Sequence, residues 1–143
     1  MANLVYNRGK RDIAKAIIDL DGGTLTVALM KSAYTANADD QTMGGISANE
    51  LSVGGYARQT LAGRSIVEDD VNDFAYLTGT NVTFAALAAG QTIGGAVLVD
   101  TTTGVDATSP LIAFYDTIDT ATTGVDFVVV WATVANGNVL KLA

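Results

Sequence analysis

A chain of 143 residues is long enough for one domain with a core of its own. It contains no Cys and no His, which removes disulfides, thiol nucleophiles, the commonest general base and the commonest zinc ligand. The net charge is −7, and only 16% of residues are charged against 49% hydrophobic. That charged share is well below the usual figure of about 25%. Either small residues cover the surface, or part of it is buried in an assembly.

The charges are unevenly placed. Arg8, Lys10, Arg11 and Lys15 are half of the eight basic residues, and after Arg64 only Lys141 follows. Nine of the fifteen acids lie in that later part, from Glu68 to Asp126. An acidic body argues against nucleic-acid binding, where phosphate contacts supply most of the affinity. No apolar run approaches the ~20 residues of a membrane span. Met1–Tyr6 does not lead into a signal-type apolar core, so secretion is not expected.

In chain order, residues 7–18 carry the one helical pattern. Ile13, Ala14, Ala16, Ile17 and Ile18 supply an apolar side, Arg8, Arg11, Asp12 and Lys15 a polar one, and Asn7 is placed to cap the start. Asp19–Gly23 is turn chemistry. Thr24–Lys31 then alternates as a half-buried strand with Leu25, Val27 and Leu29 inward. Residues 32–48 read as a long small-and-polar loop and the first candidate for a contact loop.

Further strands are expected at 57–68, with a turn at Asp69–Asp73, and at 74–77, 81–85, 93–100 and 111–115. Asp116–Gly124 reads as a loop. Asp126–Ala135 is a strand with apolar residues on both faces, and Asn136-Gly137 is the strongest two-residue hairpin signal, so Val139–Leu142 is expected to return against it. About eight short strands with a short N-terminal helix predict an all-β, single-domain antiparallel sandwich or jelly-roll-like barrel. Residues 1–18 form an N-terminal arm and basic helix, and 19–143 the β domain.

The motifs favour binding over chemistry. Asp19-Leu20-Asp21-Gly22 opens like a calcium loop, but the twelfth position is Met30 where a Glu is needed. Glu68, Asp69, Asp70 and Asp73 cluster in a turn, where Asp serves turn geometry more often than a metal. No Gly-Gly pair sits in a phosphate-loop pattern. No catalytic residue, cofactor or metal ligand is therefore expected. Of the aromatics, Trp131 reads as core, while Tyr6, Tyr34 and Tyr56 join Arg8, Lys10, Arg11 and Lys15 as interface candidates.

Several segments together carry a resemblance. They are Leu4–Lys10 leading to Ile17–Asp21, Thr24–Thr35, Asn49–Ala57, Asp69–Ala75, Ser109–Asp116 and the Trp131 region. In this order they resemble a family of small structural proteins of tailed bacteriophages. The resemblance implies a non-enzymatic virion component, made in the host cytoplasm, of the capsid decoration (cement) kind. Such proteins bind the major capsid protein on the outside of the head, commonly as trimers. A neck or tail component and a carbohydrate-binding β-sandwich module are the rival expectations.

Overall fold

The computed structural model describes residues 2–143. Ten strands are present among them: β1 Leu4–Val5, β2 Leu25–Lys31, β3 Gln59–Thr60, β4 Ser65–Asp69, β5 Phe74–Thr78, β6 Val82–Phe84, β7 Thr92–Asp100, β8 Leu111–Ala121, β9 Phe127–Val129 and β10 Leu140–Leu142. The helices are α1, Asn7–Ala14, and a single turn, α2, Met43–Ile46. All strand pairings are antiparallel. The fold is all-β and sandwich-like, as the alternation predicts.

One layer is a five-stranded sheet in the order β1-β8-β7-β2-β3. The other is made of two small sheets, β10-β5-β4 and β6-β9. Successive strand residues point to opposite faces, so the long strands split their side chains cleanly. Leu25, Val27 and Leu29 of β2 and Ala96 and Leu98 of β7 face the second layer, where they join Leu77, Phe84, Val129, Trp131 and Leu140 in one core.

The other face of the same strands is also buried. Ala28, Met30, Val97, Val99 and Phe114 pack against Tyr6, Tyr34, Met43 and Ile46 in a second core. This corrects two expectations. β2 is buried on both faces rather than half-buried. The segment 32–48 is not a free contact loop but the lid of that second face. Three large side chains spaced along an otherwise small and polar stretch, Tyr34, Met43 and Ile46, anchor it on the sheet. Backbone hydrogen bonds from Asn7 to Ala38 and from Met43 to Ser109 tie it down (2.8 and 2.9 Å).

The C-terminal hairpin does not form. β9 pairs with β6, through Val82↔Val129 and Phe84↔Phe127, and β10 pairs with β5. The Asn-Gly signal needs both turn residues at positive φ, yet here the left-handed pair is Gly137 (φ 88°) and Asn138 (φ 46°), one step later. A 3-10 turn at Val134–Asn136 precedes it. Asn138 then accepts the Gly79 N–H and donates to the Ala132 carbonyl (3.2 and 3.1 Å), which steers the chain onto β5. β8 also runs on to Ala121, through much of the stretch expected to be a loop.

Candidate interaction surface

The basic residues of the N-terminal segment lie on a helix that is locked to the sheet. β1 pairs with β8, through Leu4↔Phe114 and Val5↔Ala113. α1 follows at once and lies across the start of β8. Its contact point is Gly9, where an added Cβ would stand 2.8 Å from the Ile112 Cα and the Leu111 carbonyl oxygen. A helix reaches that close only with glycine at the contact.

Asp12, the second buried residue of α1, is fully enclosed. Its carboxylate accepts from Arg8 Nε at 2.5 Å and from Arg11 Nε at 2.7 Å. Burial alone would raise its pKa, but the hydrogen bonds and charges of the two guanidiniums outweigh burial and hold it below the ordinary carboxylate value. The arginines are fixed, and Arg11 remains about half exposed (52%). Lys10 and Lys15 are exposed on the same helix and its cap. Asn7 is the first helical residue rather than the cap, and its amide donates to Asp39 (2.8 Å). Arg8, Arg11, Asn7, Asp39 and Gln41 line a shallow depression beside the helix.

The tyrosines separate from this surface. Tyr6 is fully buried and its hydroxyl lies 2.9 Å from that of Tyr34, itself buried, which donates to Asp40 at 2.8 Å. Because Tyr34 donates its one proton to Asp40, Tyr6 is the donor to Tyr34. Burial is the main cause that pushes the Tyr6 pKa up to about 12 and that of Tyr34 higher still. Both therefore hold the lid down and are corrected as interface candidates. Their rings are apolar anchors for the second core, and each hydroxyl finds a partner inside it.

Tyr56 lies elsewhere. Its ring stacks on Phe84 at 6.0 Å, and its hydroxyl accepts from the Leu29 N–H and donates to Glu50 (3.1 and 2.7 Å). Glu50 also receives Arg58, which reaches across to Asp106 with two further bonds of 2.7 and 2.8 Å. One guanidinium is thus held by two carboxylates, and the Arg58 hydrogen bond is the first cause of the depressed Asp106 pKa. Local sequence signals did not reveal this clamp, because Arg58 and Asp106 are 48 positions apart. It joins the lid-side loops across the edge of the sheet.

The acidic turns are used by the backbone. Asp69 accepts from the Val71 and Asn72 N–H groups (both 3.1 Å) and from the Asn72 amide (2.9 Å). Asp19 accepts from the Asp21 and Gly22 N–H groups (3.1 and 2.8 Å). Among the described residues no three acids are grouped to hold a metal, and no helix is long and apolar enough to cross a membrane. The chain matches no protein-family model, no curated protein and no solved structure.

Proposed function

We propose that the protein is a non-enzymatic capsid decoration (cement) protein of a tailed bacteriophage, which binds the major capsid protein on the outer surface of the head as a homotrimer. The observation that carries this reading is the exposed basic helix on an acidic body. Four positive side chains and Asp12 give the stretch Arg8–Lys15 a charge of +3, which leaves −10 for the rest of the chain. The helix is seated on β8 at Gly9, and Asp12 holds Arg8 and Arg11 in place. A fixed positive patch suits a negatively charged shell, and three copies of it in one oligomer would bind far more tightly than one. A protein that binds the assembled shell and not its unfolded subunits stabilises that shell by mass action.

The resemblance of Leu4–Lys10, Asn49–Ala57 and Ser109–Asp116 to small virion proteins supports the same reading. Against the carbohydrate alternative stand the burial of Tyr34 and the contact of one ring face of Tyr56 with Phe84. The experiment is co-sedimentation with bare heads. Wild type is expected to bind, in a salt-sensitive way, and to raise the temperature at which heads rupture. Replacing Lys10 and Lys15 by Glu is expected to weaken binding at least tenfold. Wild type that neither binds nor protects heads would remove the cement reading.

A further inference from the structure

Of the eight asparagines in the chain, only Asn136 is followed by glycine. Asparagine is a thermolabile residue, and a following glycine makes it most so. In an open chain the nitrogen of the next residue attacks the side-chain carbonyl carbon, and glycine leaves that nitrogen least obstructed. The fold requires this glycine. Gly137 is left-handed at φ 88°, and an added Cβ would lie 2.5 Å from the Lys141 Cβ. A side chain at 137 is excluded twice, so the reactive pair comes with the turn. Asn136 itself is exposed to water.

In the folded chain both reacting groups are engaged. The Gly137 N–H donates to the Val134 carbonyl at 2.8 Å, at the end of the 3-10 turn Val134–Asn136. The Asn136 side-chain amide donates to the Thr133 hydroxyl at 3.2 Å, and its backbone N–H to the Thr133 carbonyl at 2.9 Å. Attack needs the first of these bonds broken, because the nitrogen must lose its proton before it acts as a nucleophile. It needs the second broken so that the side chain can swing onto that nitrogen.

We propose that Asn136-Gly137 is a spontaneous deamidation site, which the folded turn holds off and local opening of the turn releases. The Gly137 nitrogen gives its proton to solvent base and forms a bond to the Asn136 Cγ. The bond from Cγ to Nδ2 breaks, and Nδ2 takes up a proton and leaves as ammonia. One water then opens the five-membered imide. Opening on one side gives aspartate, and on the other isoaspartate, in which the main chain runs through the side chain. Either product adds one negative charge to a net charge of −7. Isoaspartate also lengthens the main chain by one carbon just before the residues that steer it onto β5. Asn138, at φ 46°, bonds to Gly79 and Ala132, and the Val139 N–H donates to the Leu77 carbonyl at 3.0 Å. The extra carbon moves these groups off their partners and loosens β10. The inference is independent of the cement reading.

The full chain is incubated at mildly alkaline pH, folded and in guanidinium chloride, and mapped by fragmentation mass spectrometry. Unfolded, Asn136 is expected to convert before any other asparagine. Folded, its conversion is expected to be at least about tenfold slower, because only molecules with the turn open react. Thr133→Val removes the hydroxyl that holds the side-chain amide, at an exposed position. It is expected to speed conversion about threefold in the folded chain and to leave the unfolded rate unchanged. Asn136→Gln would have to close a six-membered ring and is expected to stay unmodified in both states. Equal rates folded and unfolded overturn the inference. So does another asparagine that converts first in the unfolded chain, or a Thr133→Val variant with the wild-type folded rate. The effect on β10 is read separately, on protein converted while unfolded and then refolded. Its Val139 amide is expected to exchange with heavy water at least about tenfold faster than in fresh protein. Unchanged exchange overturns the loosening of β10.

Discussion

The two ends of the chain close the same sandwich in opposite ways. The N-terminal end is sealed. β1 adds to β8, α1 lies across it at Gly9, and Asp12 binds two arginines that face out. What it shows to solvent is charge. The C-terminal end is sealed on its inner side only. Phe127, Val129 and Trp131 fill the core, while Val128 and Val130 are left to water. What it shows is hydrocarbon. A charged surface is well solvated alone and selects its partner by sign. An apolar one gains most when a second molecule covers it. One short chain thus shows two kinds of surface, charge on α1 and hydrocarbon on β9. Its surface, 6933 Å², is close to the roughly 6,900 Å² expected of a compact monomer of this mass.

The largest effect tests the inner side of the C-terminal end. Trp131 is nearly buried, its indole N–H donates to the Thr80 carbonyl at 2.8 Å, and its ring meets Tyr115 edge-on at 5.1 Å. Trp131→Ala is expected to destabilise the fold by about 3–5 kcal/mol. Val130→Ala, one position away, is expected to change monomer stability by less than about 0.5 kcal/mol. Urea unfolding of both variants measures the contrast. Equal losses would mean that Val130 is packed within its own chain and that the two-sided description is wrong.

A smaller effect tests the N-terminal seal. Asp12→Asn removes the charge that holds Arg8 and Arg11. The guanidiniums left behind are partly exposed, so water can replace the lost partner, and the expected cost is about 1–2 kcal/mol at neutral pH. The folded-state pKa of Asp12 lies below its unfolded value. Its contribution is therefore complete above the unfolded value of about 3.9 and is lost as pH falls through the folded one. Thermal melts of both proteins should differ at pH 7 and converge in strong acid. A gap that persists there would assign the loss to packing rather than charge.

How far the sequence disclosed this contrast differs between the ends. The alternation in Leu25–Lys31 and the apolar runs at 93–100 and 111–115 marked the sheet, and the two apolar faces of the C-terminal stretch were legible as such. Its pairing was not. Asn136-Gly137 signals a turn between neighbours, but the edge of β9 is filled by β6, over forty positions earlier, and no local pattern encodes that match. The charges of α1 were legible, as Arg8 and Arg11. Their anchor was not, because an Asp among arginines reads as a solvated face until the helix is placed on β8. Tyr6 and Tyr34 misled for the same reason: a tyrosine's hydroxyl looks like an interface group until a second hydroxyl and Asp40 are found beside it.

The smallest effect concerns where α1 ends. The apolar pattern continues to Ile18, yet the helix stops at Ala14. The stop is a Schellman motif: the Ile17 N–H bonds to the Asp12 carbonyl (2.8 Å) and the Ala16 N–H to that of Ile13 (3.0 Å). This closure requires Ala16 to be left-handed, at φ 55°. Glycine normally takes that place, because a Cβ there costs roughly 1–2 kcal/mol. Alanine at this position hid the helix end from the sequence. Ala16 is exposed, so its methyl contributes little packing. Ala16→Gly is thus expected to raise stability by about 0.5–1 kcal/mol, the relieved strain less the extra freedom that glycine gives the unfolded chain. The gain should appear in the melting temperature while Lys10, Arg11 and Lys15 keep their positions. A loss of stability would mean that the helix continues past Ala14 in solution, which would turn Lys15 and the residues after it to new directions on the charged end.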